Sequence, residues 1–187
     1  MKENLVIEGY GIKLKRLTHD KIELLRQWRN DPKIQQYMIY QEEITPEMQE
    51  KWFQKINNDN NFYFIIEYEG KEIGCVNIKD IDYEKKTGEP GIFIYDDEFL
   101  NTDVPMRASF CQGDFIWDTL QLEELHIHVL KSNQRAVKEN LFFGYELLPD
   151  QENQDNQEYV LTRKRMIEVS KRVNRLKKAL NKTYQSS

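Results

Sequence analysis

Three apolar segments in the middle of the chain follow one another with only short polar turns between them. Residues 62–68 and 72–81 are separated by Glu69-Gly70-Lys71, which is a hairpin signal, and residues 91–95 follow a polar turn at 83–88. Short segments rich in Ile, Val, Phe and Tyr that are bounded by turns are typical of β-strands. Three consecutive strands commit the chain to a sheet, whose faces the other segments must cover.

Segments with helix or strand spacing flank these three strands on both sides. Thr45-Pro46 is a typical helix start, and Gly144 is a typical helix end. The elements predicted around the central strands are a strand at 12–17, helices at 21–30 and 46–56, a helix at 106–120, a strand at 124–130, a helix at 135–143, and strands at 145–148 and 159–163. This order, without an internal repeat or linker, predicts one mixed α/β domain of the α+β class over residues 1–165.

Charge is unevenly distributed along the sequence. The whole chain has a formal net charge of −5, but the residues from Arg163 onward carry nine cations and only one acid, Glu168. The body that precedes them is therefore strongly acidic, with a net charge of −13. Affinity for a phosphate backbone comes largely from positive surface, so the acidic body argues against nucleic acid as a partner.

The basic tail carries an apolar pattern of its own. Its apolar residues form an a/d seam over about two heptads: Met166, Val169, Val173, Leu176 and Leu180. Because two heptads are short for a free coiled coil, we predict that residues 166–187 form a basic amphipathic helix that packs on the acidic body. That body is either its own or that of a second subunit in a homodimer. The alternative is a solvated extension without a partner.

The apolar runs, the N-terminal residues and the two cysteines indicate the cellular compartment and the kinds of partner that we expect. Its apolar runs are shorter than the roughly 18 residues that a membrane span needs, and Met1-Lys2-Glu3-Asn4 lacks the apolar stretch of a signal peptide. Cys75 and Cys111 lie in apolar segments without metal-binding spacing, which favours buried, reduced thiols. We therefore expect a cytoplasmic protein with neither a membrane partner nor a metal.

Several short motifs together identify a family by their order and spacing. They are Trp28-Arg29-Asn30-Asp31-Pro32, Tyr37-Met38-Ile39-Tyr40, Ile44, Lys51-Trp52-Phe53, Ile73-Gly74, Gly91-Ile92-Phe93-Ile94, Leu125-His126-Ile127-His128-Val129, Asn133 and Gly144-Tyr145. Over roughly residues 10–165 the chain resembles the GNAT superfamily of N-acetyltransferases, and within it the sugar N-acetyltransferases that modify UDP-4-amino sugars in pseudaminic acid biosynthesis. The resemblance implies a GNAT fold, with a central mixed twisted sheet flanked by helices. It also implies acetyl-CoA as cofactor and a small-molecule amine, a nucleotide-linked amino sugar, as acceptor.

The resemblance implies that the pantetheine arm of acetyl-CoA lies between the strands at 91–95 and 124–130. Backbone groups of Phe93, Ile94 and Tyr95 would bind pantetheine and polarise the acetyl carbonyl. Asn133 would also meet the arm, and the same side chain is well placed to cap the helix that follows it. The other interpretation of residues 91–95 is an ordinary core strand.

The family's phosphate-binding turn contains glycines, and the matching stretch of this chain has none. The residues expected to meet the phosphates are Asn101, Thr102, Asp103, Val104, Pro105 and Met106. Val104 resists positive φ, Pro105 lacks an N–H, and Asp103 would repel a phosphate. Pro105 could instead open the following helix, and Arg107 could supply positive charge. The departure motivates an alternative, a non-catalytic GNAT-like module.

His128 is the expected general base. Within its strand, His126 and His128 face away from the apolar residues, and relatives carry a glutamate at the position aligned with His128. Imidazole titrates near neutrality, which suits removal of a proton from an ammonium group. Glu89 is the alternative base, because many relatives have an acid there, although it also fits a solvated turn. His126 is interpreted as structural.

Asn140 stands where the superfamily often has a tyrosine, seven residues after Asn133. A phenol can protonate the leaving thiolate, whereas an amide cannot act as an acid. Asn140 is therefore expected only to donate a hydrogen bond to the sulfur.

The acceptor site is expected on the first two helices and the loop between them. Its candidate residues are Arg29, Asn30, Met38, Tyr40 and Trp52. Arg29 would bind a nucleotide phosphate or stack on a base, whereas Trp28 and Phe53 are expected in the core. The predicted reaction is direct attack of the amine on the thioester. A protein or peptide N-terminus is the competing acceptor.

Overall fold

Eight strands form a single mixed sheet in the order β1-β2-β3-β4-β5-β6-β8-β7. The computed structural model describes residues 4–185, with side chains up to residue 180. The strands are β1 (Val6–Gly9), β2 (Ile12–Arg16), β3 (Phe62–Tyr68), β4 (Lys71–Asp82), β5 (Thr87–Ile94), β6 (Glu124–Leu130), β7 (Glu146–Leu147) and β8 (Asn156–Thr162). The helices are α1 (Ile22–Asn30), α2 (Pro32–Gln35), α3 (Pro46–Ile56), α4 (Val104–Asp114), α5 (Gln134–Phe143) and α6 (Arg163–Gln185). No helix within these described residues is both long and apolar enough to cross a membrane.

Neighbouring strands of the sheet run antiparallel except for β5 and β6, which are parallel. A parallel pair requires a crossover connection, and α4 provides it. The predicted class is therefore confirmed as an α+β fold, with a central mixed sheet that helices flank.

Helices cover the sheet on both faces. On one face, α1 and α3 bury Leu25, Trp28 and Phe53 against Ile65 of β3 and Cys75 of β4. The opposite face carries the larger core, to which α4 contributes Val104, Ala108 and Cys111, and the sheet contributes Leu14, Phe64, Ile66, Val76 and Ile127. Trp28 and Phe53 are buried, as the sequence predicts.

Some element boundaries differ from the sequence prediction. β1 has no predicted counterpart, because a strand of four residues is too short to show a clear period. β5 begins at Thr87 rather than Gly91, because the residues in between pair with β4. The predicted helix 106–120 is divided between α4 and a π turn at Phe115–Thr119.

The C-terminal helix α6 packs on the body of its own chain. Val169 and Leu180 of the apolar seam are buried, and Met166 packs against the main core. Gly144 ends α5 with a φ of +100°, and a side chain there would approach Val169 at 3.1 Å, so the contact between α5 and α6 requires glycine. The side chains of residues 181–187, with Lys182 among them, lie outside the described part.

Cations of α6 also contact polar groups of the body. Lys177 forms an ion pair with Asp114 of α4. Arg172 donates to the carbonyl oxygens of Leu141 and Phe142 at 3.1 and 2.6 Å, at the C-terminal end of α5, where the helix dipole favours positive charge. Both these charged contacts and the apolar seam therefore hold the basic helix α6 on the body.

Candidate active site

The sheet opens between its two parallel strands. β5 and β6 pair only at Thr87–Glu124 and Gly88–Leu125 within the described residues. Beyond this point β5 continues alongside β4, whereas β6 continues alongside β8. The two strands therefore diverge and leave a wedge-shaped gap, which has the form that an extended pantetheine arm would need.

Backbone groups of β5 face this gap at alternate residues. The Tyr95 N–H donates to the Ile73 carbonyl of β4 at 2.7 Å, so it is already occupied. Because hydrogen-bonding direction alternates along an antiparallel strand, the peptide groups of Ile94 and Ile92 point into the gap. Gly74 keeps β4 close to β5, since a Cβ there would lie 2.3 Å from the Phe93 carbonyl oxygen. Of the three predicted residues, Ile94 therefore fits the role, and Ile92 joins it.

The turn before α4 offers few free donors to a phosphate. The Val104 N–H donates to the Thr102 hydroxyl at 3.2 Å, and the Arg107 N–H donates to the Asp103 carbonyl at 3.0 Å. Pro105 has no N–H, and Val104 and Pro105 are both buried in the core. Pro105 lies in the first turn of α4, as expected for proline. The turn therefore fits the phosphates of acetyl-CoA poorly, whereas the gap beside β5 fits the pantetheine arm.

Arg107 is not a free cation at this turn, because Asp103 and two carbonyl groups already occupy its guanidinium. Its side chain is only 5% exposed. It forms an ion pair with Asp103 at 2.8 Å and donates to the carbonyls of Tyr10 and Leu180 at 3.1 and 3.3 Å, while Nε is buried without a partner. Arg107 joins α4 to the β1–β2 turn and to α6, so its role is structural.

Glu89 and His128 form a pair across the gap. Glu89 Oε1 lies 3.3 Å from His128 Nδ1, and Glu89 Oε2 lies 3.0 Å from Lys79 Nζ. Both side chains project from the sheet face that carries α1 and α3, and both remain partly exposed. The sequence presents them as alternative bases, whereas the parallel register of β5 and β6 brings them together. A carboxylate in this position orients the imidazole by accepting from its Nδ1–H.

His126 lies on the same face with both ring nitrogens occupied. Glu124 Oε1 lies 2.8 Å from Nε2, and Glu158 Oε1 lies 3.0 Å from Nδ1. Burial lowers the pKa of His126, but hydrogen bonds to the two carboxylates outweigh it and raise the pKa above its usual value. This environment agrees with a structural interpretation of His126.

Arg29 is a half-buried cation without an acidic partner among residues 4–180. Its guanidinium lies 5.5 Å from the ring centroid of Trp52, which packs edge-to-face on Tyr63 at 4.9 Å. Burial lowers the pKa of Arg29 below its usual value. Burial also raises the pKa of the neighbouring Cys75 thiol to about 12, so this cysteine stays protonated and is not a nucleophile.

The other predicted acceptor residues differ in availability. Asn30 is engaged by the fold, because its amide donates to the Ile44 carbonyl and accepts from the Ile44 N–H, each at 2.9 Å. Its contact with a substrate stays a prediction. Tyr40 is exposed and donates to Glu42 at 3.3 Å, and Met38 is half-buried in the same loop.

Asn133 and Asn140 lie at the two ends of α5. The Asn133 side chain accepts from the Ala136 N–H at 3.2 Å and caps the helix. Asn140 is half-buried, and its side chain has no hydrogen bond within the described structure. The preceding residue, Glu139, faces Ser109 of α4 at 3.5 Å, and burial raises its pKa above the usual value.

Sequence reasoning missed several side chains at this site. They are Lys79, Tyr63 and Arg135. Strand alternation could have found Lys79 and Tyr63, because alternate residues of a strand share a face, and β4 with Lys79 lies between β3 with Tyr63 and β5 with Glu89. Arg135 had no comparable signal, since its position depends on how α5 packs beside the turn before α4.

A mixed sheet that opens between two parallel central strands defines the architecture of an acyl-CoA N-acyltransferase. Residues 12–138, which are more than half of the chain, match the family described as "Acetyltransferase (GNAT) domain". The protein belongs to the GNAT acetyltransferase family, and it is an acetyl-CoA-dependent N-acetyltransferase that acts on amines.

Relatives of two kinds are similar to the chain. Spermidine N(1)-acetyltransferase of Escherichia coli (strain K12) is 22% identical over 130 residues, which is 69% of each chain. The structure of spermidine N-acetyltransferase from Vibrio cholerae in complex with CoA and spermine has a TM-score of 0.74 at 19% identity and covers 85% of this chain and 99% of its own. FdhC, described as a nucleotide-linked sugar GNAT, has a TM-score of 0.74 at 20% identity, with 92% and 98% covered.

Proposed function

We propose that the acceptor is a nucleotide-linked amino sugar, whose amine attacks acetyl-CoA directly. The observation that carries this proposal is the unpaired guanidinium of Arg29. A cation that is partly removed from water without an acidic partner is costly to the fold, and a ligand anion would compensate that cost. A phosphate of the nucleotide is such an anion, and the guanidinium fork binds it with two hydrogen bonds.

The surroundings of Arg29 support an acceptor with an aromatic ring as well as a phosphate. Trp52 lies beneath the guanidinium, and the exposed ring of Tyr40 lies in the neighbouring loop. These side chains and the Glu89–His128 pair belong to the same face of the sheet, so one molecule could reach both. A polyamine is less compatible with this site, since an unpaired guanidinium repels a polycation.

The Glu89–His128 pair is proposed as the base. With its Nδ1–H donated to Glu89, His128 has Nε2 free to accept a proton from the amine, directly or through one water. Lys79 balances the charge of Glu89. Acetyl-CoA supplies the activated acetyl thioester when bound. The N–H groups of Ile92 and Ile94 face the gap and would stabilise negative charge on the carbonyl oxygen.

As the C–N bond forms, the C–S bond breaks and the amine proton passes to His128. Asn140 would donate a hydrogen bond to the departing thiolate without protonating it. The thiolate then takes its proton from water, and no covalent intermediate with the protein is needed.

The test compares a UDP- or dTDP-linked amino sugar, the same amino sugar without the nucleotide, and spermidine as acceptors. We expect the wild type to prefer the nucleotide-linked sugar. Arg29→Gln should lower kcat/KM for that acceptor by about 10- to 100-fold, mainly through KM, because a desolvated phosphate contact is lost. The nucleotide-free sugar should be affected little.

Lys55→Gln is the matched control, since Lys55 is an exposed cation on α3 without an ion pair among residues 4–180. It should leave all three acceptors unchanged. A wild type that prefers spermidine, or an Arg29→Gln variant that loses the nucleotide-free sugar equally, would contradict the proposal.

We also propose a cytoplasmic homodimer in which α6 contributes its outward face. That face exposes Ile167 beside Lys171 and Lys178, while the body is acidic. Light scattering should then give twice the monomer mass, and Ile167→Glu should halve it. A wild type that is monomeric at about 100 µM would exclude this dimer.

A further inference from the structure

The acids around the turn before α4 are largely neutralised by neighbouring cations. Asp103 is paired with Arg107 at 2.8 Å, Asp97 with Lys33 at 3.2 Å, and Glu98 with Lys71 at 2.9 Å. These pairs reduce the repulsion that this acidic stretch would exert on a phosphate. They also occupy those cations, which are therefore not free to bind one.

Arg135 is different, because it approaches the turn from the opposite side and has no ion pair in the described structure. It lies in the first turn of α5 and is exposed. One guanidinium nitrogen, Nη2, donates to the Leu100 carbonyl of the stretch that leads into the turn. The side chain therefore reaches from α5 to this stretch.

The geometry leaves most of the Arg135 fork available. Nη2 carries two N–H groups and donates only one of them to Leu100, so the other can donate in parallel with either Nε–H or Nη1–H to one phosphate. Glu139, one turn further along α5, lies 3.5 Å from Ser109 and also feels the charge of Arg135, but the two side chains form no close ion pair among residues 4–180. The guanidinium is thus held by a neutral carbonyl, and a ligand phosphate could still bind it.

We propose that Arg135 binds a phosphate group of CoA and replaces the backbone donors that the glycine-free turn lacks. This site is independent of the acceptor, so it stands or falls separately from the proposed nucleotide sugar. It explains how a turn with Val104 and Pro105 is compatible with a protein that uses acetyl-CoA. The phosphates would be held by a side chain of α5 rather than by the backbone at the start of α4.

Calorimetric titration of the full chain with CoA, and with pantetheine as the phosphate-free probe, tests this assignment. Arg135→Gln should weaken CoA binding by about 10-fold or more, and Arg135→Lys should lose less, because it keeps the charge but not the fork. Pantetheine should bind the wild type and both variants alike. Raising the salt concentration should weaken CoA binding to the wild type more than to Arg135→Gln.

Lys138→Gln is the control, because Lys138 is an exposed cation on the same helix without an ion pair in residues 4–180. It should change CoA binding by less than about twofold. Equal effects of Arg135→Gln and Lys138→Gln would overturn the proposal. So would an equal loss of pantetheine binding, or a wild type that binds CoA no more tightly than pantetheine.

Discussion

Arg29 and Arg107 lie on opposite faces of the sheet, and the sequence suggests an anionic ligand for both. Arg107 is buried in α4 and joined to Asp103 and two carbonyl oxygens. Arg29 is half-buried on α1, and its guanidinium lies beside Trp52 without an acidic partner among residues 4–180. The difference shows that burial alone does not reveal the role of a cation. What decides between fold and ligand is whether the protein supplies the acceptors.

The largest expected difference between the two arginines is in the stability of the fold. It is tested by substituting each arginine separately and measuring the free energy of unfolding. Arg107→Met should lower the free energy of unfolding in urea by about 3 kcal/mol, because Asp103 and two carbonyls lose a buried donor. Arg29→Gln should leave it unchanged or raise it by up to about 0.5 kcal/mol, since the variant removes a partly desolvated cation and leaves no partner unsatisfied. Equal losses of stability in the two variants would show that Arg29 is also structural.

Substitutions of the proposed base, Glu89 and His128, should change the rate of acetyl transfer rather than the stability of the fold. Glu89→Gln and His128→Gln should each lower kcat by about 100-fold at neutral pH. The first variant removes the carboxylate that orients the imidazole, and the second removes the imidazole that accepts the proton. The double variant should be little worse than either single variant, since residues that act as a unit are not additive. His126→Gln, on the same strand and face, should change kcat by less than about threefold. Additive losses would indicate two independent roles.

The cofactor side offers a smaller, pH-dependent test at Glu139. Burial raises the pKa of Glu139 in the folded protein, so the folded state loses stability as pH rises above the pKa of the unfolded chain. Glu139→Gln removes this loss. The variant should match the wild type near pH 4 and exceed it at pH 8 by no more than about 1 kcal/mol in thermal unfolding. A variant that is less stable at pH 8 would mean that the ionised carboxylate has a stabilising partner.

The element order was predictable because most strands and helices are long enough to show their period and their caps. Thr45 caps α3 by accepting from the Met48 N–H at 3.3 Å, and Gly144 ends α5 in the left-handed conformation. β1 was not predictable because a strand of four residues shows no clear period, and the early start of β5 was not predictable because Thr87 and Gly88 pair with Glu124 and Leu125 of the distant strand β6. Local sequence carries little information about such pairing.

The candidate site was predictable in part. Strand alternation alone places His126 and His128 on one face, but it does not show that Glu89 meets His128. That contact follows from the register between β5 and β6, which α4 imposes from outside both strands. The contacts that occupy Arg107 were not predictable for a related reason, because its partners Tyr10 and Leu180 are remote in sequence.

The hydrogen bond from Arg107 to the Leu180 carbonyl makes the contacts of Arg107 depend on how far α6 extends. A chain that ended before Leu180 would leave one face of that guanidinium without its acceptor, next to the turn that leads into α4. Arg107 would then keep Asp103 and the Tyr10 carbonyl but have one N–H free, so the turn would have a second cation with an open donor beside Arg135. Homologues that differ only in where α6 stops would thus differ in how they hold an anion some seventy residues away in sequence.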